Sequence, residues 1–126
     1  MQYVPINLSK QYNLPVSAPP GQDSTAIIQG FDASHGFGEM REILTDLMHM
    51  GKHNVIIDLS HCPPETKRIT MAYLEGLVVT PGFNAMYTGV SEREAATGFG
   101  NLDQVFNGKI EPTIDHAVRR IELRSD

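Results

Sequence analysis

Asn54 to Thr66 reads NVIIDLSHCPPET. Val55, Ile56 and Ile57 make a short β-branched run, the signature of a strand buried on both faces of a parallel or mixed sheet. Asp58 ends the run, and Ser60 follows. Pro63 and Pro64 have no N–H to donate, so strand pairing stops there. Glu65-Thr66 then stands just ahead of a new apolar-periodic segment, where a helix begins. A strand, a sharp loop and a helix N-terminus in succession form the usual meeting point of ligands, phosphates and partners in open α/β sheets.

Upstream, Phe37, Met40, Ile43 or Leu44, Leu47 and Met48 recur at helical spacing. Gly51 stands just past the last turn, the usual helix stop. Ser24 to Gly30, STAIIQG, reads as the preceding strand. Pro19-Pro20-Gly21-Gln22-Asp23 is a turn joining it in a hairpin to a strand near Asn13 to Ala18, which Pro15 confines to a sheet edge. Strand, helix and strand make a βαβ unit if the strands are parallel.

Downstream, Thr66 stands at the N-cap of a helix running to about Val79, with Ile69, Ala72, Tyr73, Leu77 and Val78 as its expected buried face. Thr80-Pro81-Gly82 breaks it, and Phe83 to Val90 is a further strand. Ser91-Glu92-Arg93-Glu94 fits a capping box opening a short helix that ends at Gly98 or Gly100. Leu102, Val105 and Phe106 form a brief apolar segment before the Asn107-Gly108 turn. Thr113 caps a last helix with Ile114, Ala117, Val118 and Ile121 on one face. Alternating strands and helices give one α/β domain: a mixed central sheet of about four to five strands with helices packed on it. Residues 1–12 are read as an N-terminal extension and 13–126 as the domain.

The chain has 126 residues, 40% of them hydrophobic, a length suited to one domain with a modest core. A net charge of -5 and a pI near 5.4 argue against nucleic acid as the main partner, because phosphate binding needs a basic surface. No apolar run is long enough to cross a bilayer, and the first residues lack a secretory signal pattern. Cys62 is the single cysteine, which excludes an internal disulfide and suits a reducing cytoplasm.

Several motifs, taken in order, resemble the STAS family, the sulfate-transporter and anti-sigma-factor-antagonist domain. They are Asp58-Leu59-Ser60, Glu65-Thr66, Gly89-Val90-Ser91, Asn101 to Phe106 (NLDQVF) and Pro112 to Ala117 (PTIDHA). The resemblance spans roughly residues 13 to 123. It implies a STAS-like fold and a non-enzymatic regulatory role as a bacterial, cytoplasmic anti-sigma-factor antagonist or stressosome-type subunit in a stress response. The implied partner is an anti-sigma-type serine/threonine kinase or another STAS protein. Family antagonists carry Asp-Ser-Ser-Gly at the helix start, with the Ser phosphorylated; here the stretch is Glu65-Thr66-Lys67-Arg68. The partner-binding surface implied by resemblance and placement comprises Asp58, Ser60, Glu65, Thr66, Lys67, Arg68 and Ile69.

Each of these residues has a plainer reading as well. Thr66 is a phospho-acceptor whose phosphate would meet the helix dipole and pair with Lys67 and Arg68, or it is simply an N-cap. Asp58 caps its loop by accepting from backbone N–H groups. His49 and His53 are four apart with Gly51 between them, and His61-Cys62 has no second pair at ligand spacing, so no metal site is expected. Cys62 reads as a structural thiol. No cofactor motif and no catalytic centre assemble: Gly36-Phe37-Gly38 lacks both the third glycine of a dinucleotide fingerprint and a Walker lysine. The alternatives are a STAS module that is never phosphorylated and serves assembly or a transporter, and a small-molecule-binding α/β domain using the Phe31 to Gly38 loop. Exposed sheet edges also allow a second copy as partner.

Overall fold

The computed structural model describes residues 2–32, 37–90 and 110–124. Within them the sheet has six strands in the order of the sequence: β1 (Val4–Pro5), β2 (Val16–Ala18), β3 (Thr25–Ile28), β4 (Asn54–Asp58), β5 (Asn84–Thr88) and β6 (Ile110–Glu111). β1, β2 and β3 pair antiparallel, and β3 to β6 are parallel. The helices among the described residues are α1 (Phe37–His49), α2 (Lys67–Val79) and α3 (Ile114–Arg124). The fold is therefore α/β with a mixed sheet, as expected. The expected capping box at Ser91 to Glu94, the apolar segment within Asn101 to Phe106 and the Asn107-Gly108 turn lie outside the described residues.

β4 is the centre of the fold. Ile56 pairs with Ile27 on one side and Met86 on the other, and Val55 and Ile57 are likewise flanked on both sides. Alternation sends Val55 and Ile57 to one face with Ala26, Ile28, Ala85 and Tyr87, where α1 and α2 cover them. Ile56, Ile27 and Met86 point to the other face, under Ala117, Val118 and Ile121 of α3. Two-sided burial is why this strand is apolar at successive positions rather than alternate ones. Because β3, β4 and β5 advance in one direction across the sheet, right-handed crossovers place α1 and α2 on the same face.

α1 buries Met40, Ile43, Leu44 and Leu47 as its periodicity requires, while Met48 turns out to solvent. Gly51 takes φ +80° just past the helix, and the Lys52 N–H closes the turn on the Leu47 carbonyl at 3.0 Å. In α3 the Thr113 hydroxyl accepts from the His116 N–H at 3.2 Å, the capping bond that the sequence predicts.

Three expectations need correction. β2 is not an edge strand, because β1 pairs with its free side; Pro15 lies before the strand, and its carbonyl accepts from the Gln29 N–H. The two-residue strands β1 and β6 raise the count to six, too short to leave a periodic trace in the sequence. In α2 the buried face is Met71, Leu74 and Val78, whereas Ile69, Ala72 and Tyr73 are exposed. That helix is apolar around most of its circumference, so periodicity alone does not choose its inner side.

Candidate functional site at the ends of β4 and β5

Register places Asp58 of β4 directly beside Thr88 of β5. The Asp58 side chain accepts from the Thr88 hydroxyl at 2.9 Å on one oxygen and from the Ser60 hydroxyl at 2.6 Å on the other. Asp58 is thus satisfied by side chains from the next strand and the next turn. The expected backbone cap is not how its carboxylate is held. With Asp58 8% exposed, these two donors replace the water it gives up.

The two strand ends are locked together by their backbones as well. The Leu59 N–H donates to the Thr88 carbonyl at 2.8 Å. Gly89 follows with φ +75° and packs so closely that a Cβ there would lie 2.6 Å from the Ser60 nitrogen. The Lys67 ammonium, at the start of α2, donates to the Gly89 carbonyl at 2.7 Å. Asp58, Ser60, Gly89, Thr113, Asp115 and Tyr3 line a shallow cavity of about 340 Å³ between these ends and the N-terminus of α3. The Tyr3 hydroxyl donates to the Asp115 carboxylate there; burial first, and that bond second, push its pKa up to about 12.

Thr66 sits in a single 3₁₀ turn, Pro64–Thr66, that leads into α2. It stands at the N-cap position, but its hydroxyl donates back to the Pro63 carbonyl at 2.9 Å and makes no capping bond. The 3₁₀ lead-in tightens the helix start, so the cap expected of Thr66 is supplied by the backbone path instead. Thr66 is half-buried, with Glu65 and Ile69 exposed beside it. Lys67 and Arg68, expected on the same outer surface, are both buried.

Ser60 is exposed, and its oxygen is 3.4 Å from His61 Nδ1. It donates directly to a carboxylate, so the order nucleophile, imidazole base, carboxylate is not met. Cys62 is buried, its sulfur 3.4 Å from the Phe31 carbonyl; burial pushes the thiol pKa up, which suits a structural role. α1 ends at His49, leaving His53 beyond the turn at Gly51. Among the described residues no group of three or more His, Cys, Asp or Glu side chains is placed to hold a metal ion, and no helix is long and apolar enough to cross a membrane.

The structure therefore unites Asp58 and Ser60 with Thr88, Gly89 and Lys67, and sets Glu65, Thr66 and Ile69 on the adjoining surface. Thr88 and Gly89 were not singled out from sequence as parts of the site. A glycine closing a strand is a signal for close backbone approach, but nothing local marks Thr88 as the partner of Asp58. No protein-family model matches the chain, and no curated protein matches it either.

Proposed function

We propose that the chain is a STAS-like cytoplasmic regulatory domain that works by docking a protein partner, an anti-sigma-type serine/threonine kinase or another STAS protein. The observation that carries this reading is the outward face of α2. Ile69 and Tyr73, in the first half of the helix that Thr66 precedes, are 48% and 62% exposed. Contiguous exposed apolar patches mark interaction sites, and side chains four apart on a helix lie side by side. The partner covers Glu65, Thr66 and Ile69, and a phosphoryl group on Thr66 adds charge to that surface and releases it. An affinity capture from the source cell, with phosphate mapping on the captured chain, is the first test. A co-purified kinase and phosphate on Thr66 support the switch. Equal partner affinity for Thr66→Ala and Thr66→Glu would sink it.

A second reading is a docking domain that has no phosphorylation switch and serves assembly or a transporter. The burial of Lys67 favours it, since that ammonium is committed to the Gly89 carbonyl. A bound partner with no phosphate on Thr66 would select this reading.

A further inference from the structure

The N-terminal segment runs from β1 along the exposed side of α1 and is held there by carboxylates. Glu39, Glu42 and Asp46 lie on one face of the helix. Glu39 accepts from the Asn13 and Leu14 N–H groups at 2.5 and 3.3 Å. Glu42 pairs with Lys10 at 3.0 Å. One oxygen of Asp46 accepts from the Ser9 hydroxyl at 2.6 Å, the Ser9 N–H at 3.3 Å and the Tyr12 hydroxyl at 2.8 Å. Underneath, Ile6, Leu8 and Tyr12 pack on the main core. The strap is thus fastened to α1 by donors reaching negative charge, and Ser9 supplies two of them while being exposed.

We propose that Ser9 is a phosphorylation site whose modification unfastens this strap. A protein kinase would transfer the γ-phosphoryl group of a nucleoside triphosphate to Ser9 Oγ. The new O–P bond forms as the bond to the bridging oxygen breaks, the diphosphate leaves, and the hydroxyl proton passes to the kinase's base and on to solvent. Asp46 then loses its closest donor and faces a dianion on the same atom. Glu42 adds to the repulsion. Lys10 and Arg41 bring positive charge to this groove, but Lys10 already holds Glu42, and neither restores the donor Asp46 has lost. The strap leaves α1 and uncovers the core beneath Ile6, Leu8 and Tyr12. This switch does not use the Thr66 hydroxyl.

The test is limited chymotrypsin digestion of the full chain carrying phosphoserine at position 9, followed at the Tyr12–Asn13 bond, which is clear of the phosphate, with cleavage after the buried Phe83 as the measure of general unfolding. Cleavage tracks the population of the open form. The expected result is about tenfold faster cleavage after Tyr12 and an unchanged rate after Phe83. Ser9→Ala, which removes the hydroxyl bond without adding charge, should give only a small acceleration. Asp46→Asn in the phosphoserine chain should slow the cleavage again, because an amide can donate to the phosphate while still accepting from Tyr12. The proposal is overturned by cleavage after Tyr12 no faster than in the unmodified chain, by an equal rate in Ser9→Ala, or by no recovery in the Asp46→Asn chain.

Discussion

Gly89 and Ser60 touch backbone to backbone: a Cβ on Gly89 would come within 2.6 Å of the Ser60 nitrogen and 2.8 Å of its Cα. The contact joins the end of β5 to the turn after β4, and it holds Asp58 where Thr88 and Ser60 can both reach it. A side chain at Gly89 meets backbone, which has little room to yield, and must also adopt φ +75°. Gly89→Ala is therefore expected to cost more than about 2 kcal/mol in urea unfolding. Gly76, inside α2, is the control. A Cβ there meets nothing within 4 Å, so Gly76→Ala should stabilise by up to about 1 kcal/mol, the helix-propensity difference. Similar effects at the two positions would contradict the geometry.

The orientation of α2 reverses an expectation, which put Ile69 on the buried face and left Leu74 off it. Leu74 is fully buried, whereas Ile69 is half exposed. Leu74→Ala should lose about 2–5 kcal/mol through lost burial and a cavity. Ile69→Ser should stay within about 0.5 kcal/mol, yet should weaken partner capture if the outer face docks. A large stability loss at Ile69 would return the helix to the orientation expected from sequence.

The Asp58 cluster makes its own prediction. Asp58→Ala removes the acceptor of the Thr88 hydroxyl, which is completely buried. Leaving that hydroxyl unpaired should cost about 1–3 kcal/mol. The double variant with Thr88→Val should recover part of the loss, because no orphaned donor then remains. Additive losses in a double-mutant cycle would show that the two side chains do not cooperate.

Cys62 should be silent toward thiol reagents in the folded protein. Its burial raises the thiol pKa and shields the sulfur, so labelling by a thiol-reactive dye near neutral pH should follow unfolding. Rapid labelling under native conditions would exclude a structural thiol.

Of the shifted groups in the N-terminal segment's contacts, Asp46 and Tyr3 mark the acid and alkaline ends. The Ser9 hydroxyl, followed by the Tyr12 hydroxyl, holds the Asp46 carboxyl below its ordinary 3.8. A depressed acid stabilises the fold above its unfolded value, and that contribution disappears as pH falls through the folded value. A carbon-detected NMR titration should place the Asp46 midpoint below 3.8, and Ser9→Ala should move it up. At the other extreme, burial and then the bond to Asp115 push the Tyr3 hydroxyl up to about 12 from its ordinary 10.0. The folded state keeps this proton while the unfolded chain loses it, so stability is full below 10 and falls between 10 and 12. Tyr3→Phe should flatten that alkaline loss, and an unaltered profile would mean that Tyr3 does not report on folding.

Much of the architecture was legible in the residues themselves. Val55 to Ile57 announced a strand buried on both sides, Met40 to Leu47 a one-faced helix, and Thr113 a cap, because each depends on short-range periodicity or a local hydrogen bond. The surroundings of Asp58 were not legible. Its partner Thr88 is brought beside it by the register of two parallel strands joined through α2, and no local pattern encodes that pairing. The same holds for Ile69, Tyr73, Lys67 and Arg68. A helix apolar on nearly every side, with two cations at its start, admits more than one rotation. Packing against β5 chose the one that buries Met71, Leu74 and Val78, turning Ile69 and Tyr73 outward. Sequence by itself determined the longer strands and the helices, since their backbone preferences are local, whereas the two-residue strands β1 and β6 exist only because the sheet offers them an edge. Tertiary structure alone decided which side chains meet at the strand ends and which face solvent, since those outcomes depend on shape and burial summed across the whole sheet.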